Sequence, residues 1–171
     1  MKKEIKLYNV IFPVWMLVLI PQLWLVALVG NYVIDFLVLF LTMKFLKIEN
    51  RKTHIKKAIW KTWVIGFVAD FVGGFGMFLV ALIDVDYETK FGQWWYDNLT
   101  NAVMYNPFST LAGFLWATVC VVITSVIIYF VNKKWCLKKL EISDDEKKKL
   151  ALSLAIFTAP FLFYLPTAWF Y

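Results

Sequence analysis

The basic residues of this chain are confined to three short stretches, and this constrains the fold more than any other feature. Seventeen of the 18 Lys and Arg residues lie within 2–6, 44–61 and 133–149, and only Lys90 lies elsewhere. The segments between the stretches are long and almost free of charge. Short cytoplasmic loops of membrane proteins carry such an excess of Lys and Arg. The pattern therefore predicts an integral membrane protein whose three basic stretches face the cytoplasm.

The composition excludes an ordinary soluble domain. Hydrophobic residues make up 61% of the 171 residues, and the mean hydropathy is +0.67. A helix needs roughly 20 apolar residues to cross the hydrocarbon layer. We therefore predict an all-α, five-span transmembrane helical bundle that forms a single domain. The predicted spans are about 7–20, 23–43, 59–83, 108–131 and 150–170.

The charge pattern also predicts the topology. The N-terminus and the basic loops 44–58 and 132–149 would be cytoplasmic, whereas the acidic and aromatic loop 84–107 and the C-terminus would lie outside. The first two spans would form a tight hairpin that turns at Pro21-Gln22 or at Gly30-Asn31. The first turn is favoured because it places Trp24 at the outer interface. Ser143 and Glu146 predict a capping box at the start of the last helix.

Two carboxylates lie inside apolar spans, Asp35 in the second and Asp70 in the third. Each belongs to a stripe of residues spaced by three or four, which lies on one helix face. The stripes are Ala27, Asn31, Asp35, Val38 and Thr42, and then Thr62, Gly66, Asp70, Gly73 and Met77. Because the two helices run in opposite directions from a short loop, Thr42 and Thr62 would share one depth. Asp35 and Asp70 would then be neighbours near the middle of the bilayer.

These carboxylates have no cationic partner in the sequence around them. No Lys, Arg or His lies within 7–43 or 62–83. A lone charge costs several kcal/mol at the bilayer centre. The carboxylates would therefore share a proton, accept hydrogen bonds from neighbouring side chains or hold a cation. The candidate ion- or substrate-binding residues are Asp35, Asp70, Asn31, Tyr32, Thr42 and Thr62.

Small residues predict where helices pack closely. They recur at helical spacing in the third and fourth spans, which lets another backbone approach. The predicted packing residues are Gly66, Gly73, Gly74, Gly113 and Ala117. A bundle of five spans is thin, so we expect a homo-oligomer or a subunit of a larger membrane complex.

The function predicted from these features is proton- or cation-linked transport, or channel conduction, of a small solute through the intramembrane carboxylates. The alternative is a non-catalytic scaffold or regulatory subunit in a membrane complex. Catalysis is not favoured, because no nucleophile and base are paired within the spans. We expect no cofactor, no metal and no nucleic-acid partner. The basic loops would contact anionic headgroups on the cytoplasmic side of a bacterial inner membrane, and His54 would be solvated there.

Overall fold

A computed structural model describes residues 24–169, and every regular element within this range is helical. The long helices are α1 (Trp24–Phe45), α2 (Arg51–Leu82) and α5 (Leu111–Val131), which a π-helical turn (Asn132–Cys136) extends. Two short helices, α3 (Lys90–Trp95) and α4 (Asn101–Tyr105), flank a second π-helical turn (Tyr96–Thr100). The last helix is α6 (Asp144–Phe157).

Three of these helices are long and apolar enough to cross a membrane. The segments are Leu28–Phe45, Arg51–Leu82 and Leu111–Cys136. Their outward faces carry large apolar side chains that are about half exposed, such as Val33, Phe75 and Val122. An apolar exterior on a helical bundle is the arrangement that lipid requires. The all-helical membrane-protein class predicted from the sequence is therefore supported.

Helices α1, α2, α5 and α6 pack in a ring in which each contacts its two neighbours. The ring surrounds an apolar core close to the basic loops, which we call the inner core. All four helices contribute to it, including Leu39, Ala58, Ile128 and Leu154. Because each of these side chains is almost fully buried, this core holds the four helices together at that end.

The second and third basic stretches lie at the same end of the bundle. Lys57 Nζ forms an ion pair with Glu141 Oε1 at 3.2 Å. Lys61 Nζ lies 5.6 Å from the ring centre of Trp135. These contacts join residues that are far apart in sequence, as expected if both stretches face one side of a membrane. The first stretch, 2–6, lies outside the described residues.

The connections between helices differ from those predicted. Helix α1 continues through Gly30-Asn31, so the hairpin turn considered there is wrong, while Pro21-Gln22 lies outside the described residues. Helix α2 begins at Arg51, and the predicted loop 44–58 is reduced to residues 46–50. The reason is that 51–58 carries Ile55 and Ala58, which are buried in the inner core, and His54, a polar residue that is also buried.

The predicted outer loop 84–107 is largely helical and folds over the end of the bundle away from the basic loops. Its buried side chains Leu99 and Val103 join Met77, Val80 and Phe163 in a second apolar cluster, the outer core. The hydroxyl of Thr100 donates to the carbonyl oxygen of Val80 at 3.2 Å. The segment is therefore fixed to α2 by both apolar packing and hydrogen bonding.

The C-terminal segment is helical only in its first half. The capping box at the start of α6 is confirmed, because the Ser143 hydroxyl accepts from the Glu146 amide and the Glu146 carboxylate accepts from the Ser143 amide. The helix ends at Phe157, and 3₁₀ turns follow at Phe161–Tyr164 and Thr167–Trp169. Pro160 and Pro166 explain the change, because proline lacks an amide donor. The segment 150–170 is thus α-helical only as far as Phe157, and it is interrupted near Pro160 and Pro166 as the sequence predicts.

Candidate functional site

Two aspartates are buried between α1 and α2. Asp35 on α1 is 2% exposed, and Asp70 on α2 is 8% exposed. Both lie on the helix faces that turn towards the neighbouring helix, since Leu39 and Met43 on α1 and Gly66 on α2 are also buried. The helical spacing therefore directs both carboxylates into the protein rather than towards lipid.

A hydrogen bond and a close packing contact define the geometry of this site. The Asn31 Nδ2 donates to Asp70 Oδ2 at 3.0 Å. Asp35 lies against Gly66, where a Cβ atom would be only 3.3 Å from Asp35 Oδ2. Because α1 and α2 are antiparallel, these two pairs lie one helical turn apart. The two carboxylates are therefore offset by about one helical turn along the α1–α2 contact.

One oxygen of each carboxylate lacks a hydrogen-bond partner within residues 24–169. These are Asp35 Oδ2 and Asp70 Oδ1, and both atoms are buried. Buried polar atoms are almost always satisfied, and an unsatisfied one costs about 1–3 kcal/mol. Each of the two helices therefore contributes one buried carboxylate oxygen without a partner to the α1–α2 contact.

Apolar side chains bound the carboxylate pair on both sides along the bundle. Leu39, one turn from Asp35, belongs to the inner core. Met77, two turns from Asp70, belongs to the outer core. A polar layer between two apolar cores is shielded from bulk water, so electrostatic interactions within it are stronger than at the surface.

Three of the other predicted site residues do not contact the carboxylates. Tyr32 is 41% exposed, and its ring packs edge-on against Trp63 with centroids 5.9 Å apart. The Thr62 hydroxyl donates within α2 to the carbonyl of Ala58 at 3.2 Å. Thr42 is half-buried. The pairing of Asn31 with Asp70 places Thr42 opposite Ile59 rather than opposite Thr62, so the expectation of a shared threonine depth is wrong.

Asn132 is a buried polar residue that the sequence did not reveal. It is fully buried in the π-helical turn after α5, where its Nδ2 donates to the carbonyl of Ile128 at 2.8 Å and its Oδ1 lacks a partner among the described residues. Gly73 on α2 faces Thr124 on α5, and Asn132 lies two turns further towards the basic end. Asn132 therefore lies at about the same position along the bundle axis as Gly66, against which Asp35 packs. π-Helical turns often occur at functional sites.

The predicted small-residue faces do bring helices together. A Cβ on Gly73 would overlap the Thr124 hydroxyl of α5, and one on Gly76 would lie 3.2 Å from Cys120 Sγ. Gly74 and Ala117 are buried along the same helices. Gly113 packs differently, because a Cβ there would lie 2.5 Å from Ala102 Cβ on α4. The close contact with α5 fixes the position of α2, the helix that carries Asp70.

The described residues contain no cluster of metal-ligating side chains. Within residues 24–169, no group of three or more His, Cys, Asp or Glu side chains is arranged to hold a metal ion. Both cysteines are buried and unpaired. Comparison of the chain with protein-family models, with curated proteins and with solved structures finds no match.

Proposed function

We propose that this protein moves a proton, a cation or a small solute coupled to one of them across a cell membrane, with Asp35 and Asp70 as the coupling site. The observation that supports this most strongly is the pair of buried carboxylates on facing helices, each with an unpartnered oxygen. Ionisable residues inside membrane spans are costly, and they mark ion and proton pathways in many transporters.

The chemistry of the site suits reversible loading by a small cation. Asn31 holds one oxygen of Asp70, which orients the carboxylate and leaves the other oxygen free for a proton or cation. Gly66 leaves room for the Asp35 carboxylate, which a larger side chain would displace. In the proposed mechanism, loading neutralises the pair and unloading restores a charge repulsion between α1 and α2. A change in the packing of these helices would then open the site to one side or the other.

The proposed location is the inner membrane of a bacterium, with the N-terminus and the basic stretches 44–61 and 133–149 in the cytoplasm. The five-span topology, the homo-oligomer and the contact with anionic headgroups belong to this proposal. Support comes from the three helices of membrane-spanning length and from the basic stretches 44–61 and 133–149 meeting at one end.

Ion flux into proteoliposomes tests the proposal. We expect purified protein to dissipate an imposed proton, sodium or potassium gradient faster than protein-free liposomes, as measured with a trapped fluorescent indicator for each ion. The gradient that collapses identifies the coupling ion. Equal rates with and without protein for all three gradients, with and without added solutes, would contradict transport.

A membrane scaffold or regulatory subunit is the second candidate. The observation that favours it is a polar cleft at the basic end of the bundle, which is lined by basic side chains such as Lys47 and Lys57 and by acidic ones such as Glu49 and Glu141. This candidate predicts that neutralising Asp35 and Asp70 leaves function intact and that an unrelated membrane protein copurifies with the chain.

A further inference from the structure

A third buried oxygen without a partner lies in the interior of the bundle, and it belongs to Asn132. This residue is fully buried in the π-helical turn that extends α5. Its Nδ2 donates to the carbonyl of Ile128, which orients the amide so that Oδ1 faces away from that carbonyl. Within residues 24–169, the buried side-chain oxygens that lack a hydrogen-bond partner are therefore Asp35 Oδ2, Asp70 Oδ1 and Asn132 Oδ1.

The packing of α2 against α5 fixes the position of Asn132 along the bundle. The contacts that set this register are Gly76 with Cys120, Gly73 with Thr124 and Lys61 with Trp135. Because the two helices are antiparallel, the same register places Asn132 at the level of Val64 and Ile65. The next residue is Gly66, against which Asp35 packs. Asn132 and Asp35 therefore lie within about 3 Å of each other along the bundle axis.

Both residues also lie on the helix faces that turn towards the centre of the ring. Leu39, one turn from Asp35 on α1, belongs to the inner core, and so does Ile128, one turn before Asn132. The π-helical turn itself contacts α2 and α6, the two neighbours of α5 in the ring. Asp35 and Asn132 therefore extend from two different helices into the same layer of the ring interior.

The chemistry of these oxygens favours a metal cation over a proton. Carboxylate and amide oxygens are the ligands that hard cations prefer. One proton supplies a hydrogen bond to a single further acceptor, whereas a cation contacts several oxygens at once. At the level of Asp35 the layer contains one carboxylate and the neutral amide of Asn132. A single positive charge neutralises this pair, but a divalent ion would leave excess charge inside the membrane.

We infer that Asp35 and Asn132 together bind an alkali-metal cation, with Asp70 about one helical turn further along the bundle. The inference rests on the proposed function in one respect, since it names the class of ion that the coupling site carries. Asp35 supplies the charge that balances the ion. Asn132 favours the ion over a proton, because a neutral amide oxygen can contact a metal ion but takes up no proton near neutral pH.

Thermal melting of the full-length protein in a neutral detergent tests this site without measuring flux. The protein is purified in choline chloride, and lithium, sodium or potassium chloride then replaces the choline salt at constant total concentration. We expect at least one alkali cation to raise the melting temperature with a saturable dependence, because an ion that binds only the folded protein stabilises it. The ion that saturates at the lowest concentration is the preferred one. Equal melting temperatures in choline and in all three alkali chlorides would overturn the inference.

Variants then locate the ion. Asn132→Ala and Asn132→Ser should each raise the ion concentration that gives half of the effect by about tenfold, as expected for the loss of one contact to a charged group. Serine retains a hydroxyl that can donate to the Ile128 carbonyl, so Asn132→Ser keeps the test valid if Asn132→Ala fails to fold. Asp35→Asn removes the balancing charge and should abolish the effect of the ion.

Thr124→Ala is the matched control for Asn132→Ala. Thr124 is also fully buried on α5 and donates to the carbonyl four residues earlier, but its oxygen is not among the unpartnered ones. This variant should keep the wild-type ion concentration, whatever its melting temperature in choline. An equal increase in Thr124→Ala and Asn132→Ala would show that loosened packing explains the loss, and it would overturn the role of Asn132.

The melting and flux experiments can fail separately. Melting that depends on an alkali cation, without any ion flux, would contradict transport and leave the cation site in place. Proton flux without any effect of alkali cations on melting would overturn the cation site and leave the proposed transport in place.

Discussion

Asp35→Asn and Asp70→Asn should each reduce ion flux in proteoliposomes to the rate of protein-free liposomes. Asparagine keeps the size and hydrogen-bonding shape of the side chain but can neither release a proton nor neutralise a bound cation. Each variant keeps only one of the two buried carboxylates, and no cationic side chain pairs with it among the described residues, so the proposed coupling pair is lost. The measurement is the initial flux rate, corrected for the amount of folded protein in the liposomes.

Two further variants make this prediction specific. Asp97→Asn removes an exposed carboxylate from the outer segment and should leave the flux unchanged. Asn31→Ala removes the donor that orients Asp70 and should slow the flux by about tenfold, the effect of losing one hydrogen bond to a charged group. Flux at the wild-type rate in both aspartate variants would rule out the proposed coupling site.

Gly73→Ala should destabilise the protein by about 1–3 kcal/mol, and Gly73→Val by more. The added Cβ would overlap the Thr124 hydroxyl and lie 2.8 Å from Phe163 Cε2. Thr124 donates to the carbonyl of Cys120 at 2.9 Å, and Phe163 is 1% exposed, so neither can move without losing buried contacts. The melting temperature of the purified variants in detergent measures the loss.

The other glycines of the helices provide matched controls. A Cβ on Gly30 would have no atom within 4 Å, so Gly30→Ala should leave the stability unchanged or raise it by up to about 1 kcal/mol. Gly76→Ala should lie between the two, because its Cβ would be 3.2 Å from Cys120 Sγ. Combining Gly73→Ala with Thr124→Ala should restore part of the loss. A Gly73→Ala protein that melts at the wild-type temperature would disprove the close α2–α5 contact.

Periodicity was sufficient to predict which helix faces meet. The spacing of Asn31 and Asp35 on one helix and of Gly66 and Asp70 on the next indicated two stripes, and the structure pairs these residues. Such a stripe can be recognised in the sequence because the number of residues per helical turn stays constant over several turns. The depth of individual residues was less predictable. The observed pairing of α1 with α2 is shifted by three residues from the predicted pairing, so Thr42 and Thr62 do not lie opposite each other.

Features at the ends of helices were not predictable from the local pattern. The basic residues around His54 predict that it is solvated, and the predicted loop 132–149 begins at Asn132. In the structure both are buried, because helical geometry continues through Arg51–His54 and Asn132–Cys136 and turns one polar side chain inward. Helix boundaries depend on tertiary packing at the inner core, which charge patterning along the sequence does not encode.

The most direct test of the central claim is labelling with a hydrophobic carbodiimide, a reagent that modifies protonated carboxyl groups in apolar surroundings. We expect peptide mass spectrometry to find the modification on Asp35 or Asp70, and the flux to fall in proportion to the labelled fraction. If the coupling ion is sodium or potassium, an excess of that ion should protect both the carboxylates and the flux; if it is the proton, labelling should instead increase as the pH is lowered. A protein that keeps full flux after labelling of these carboxylates, or that is labelled only elsewhere, would contradict the account.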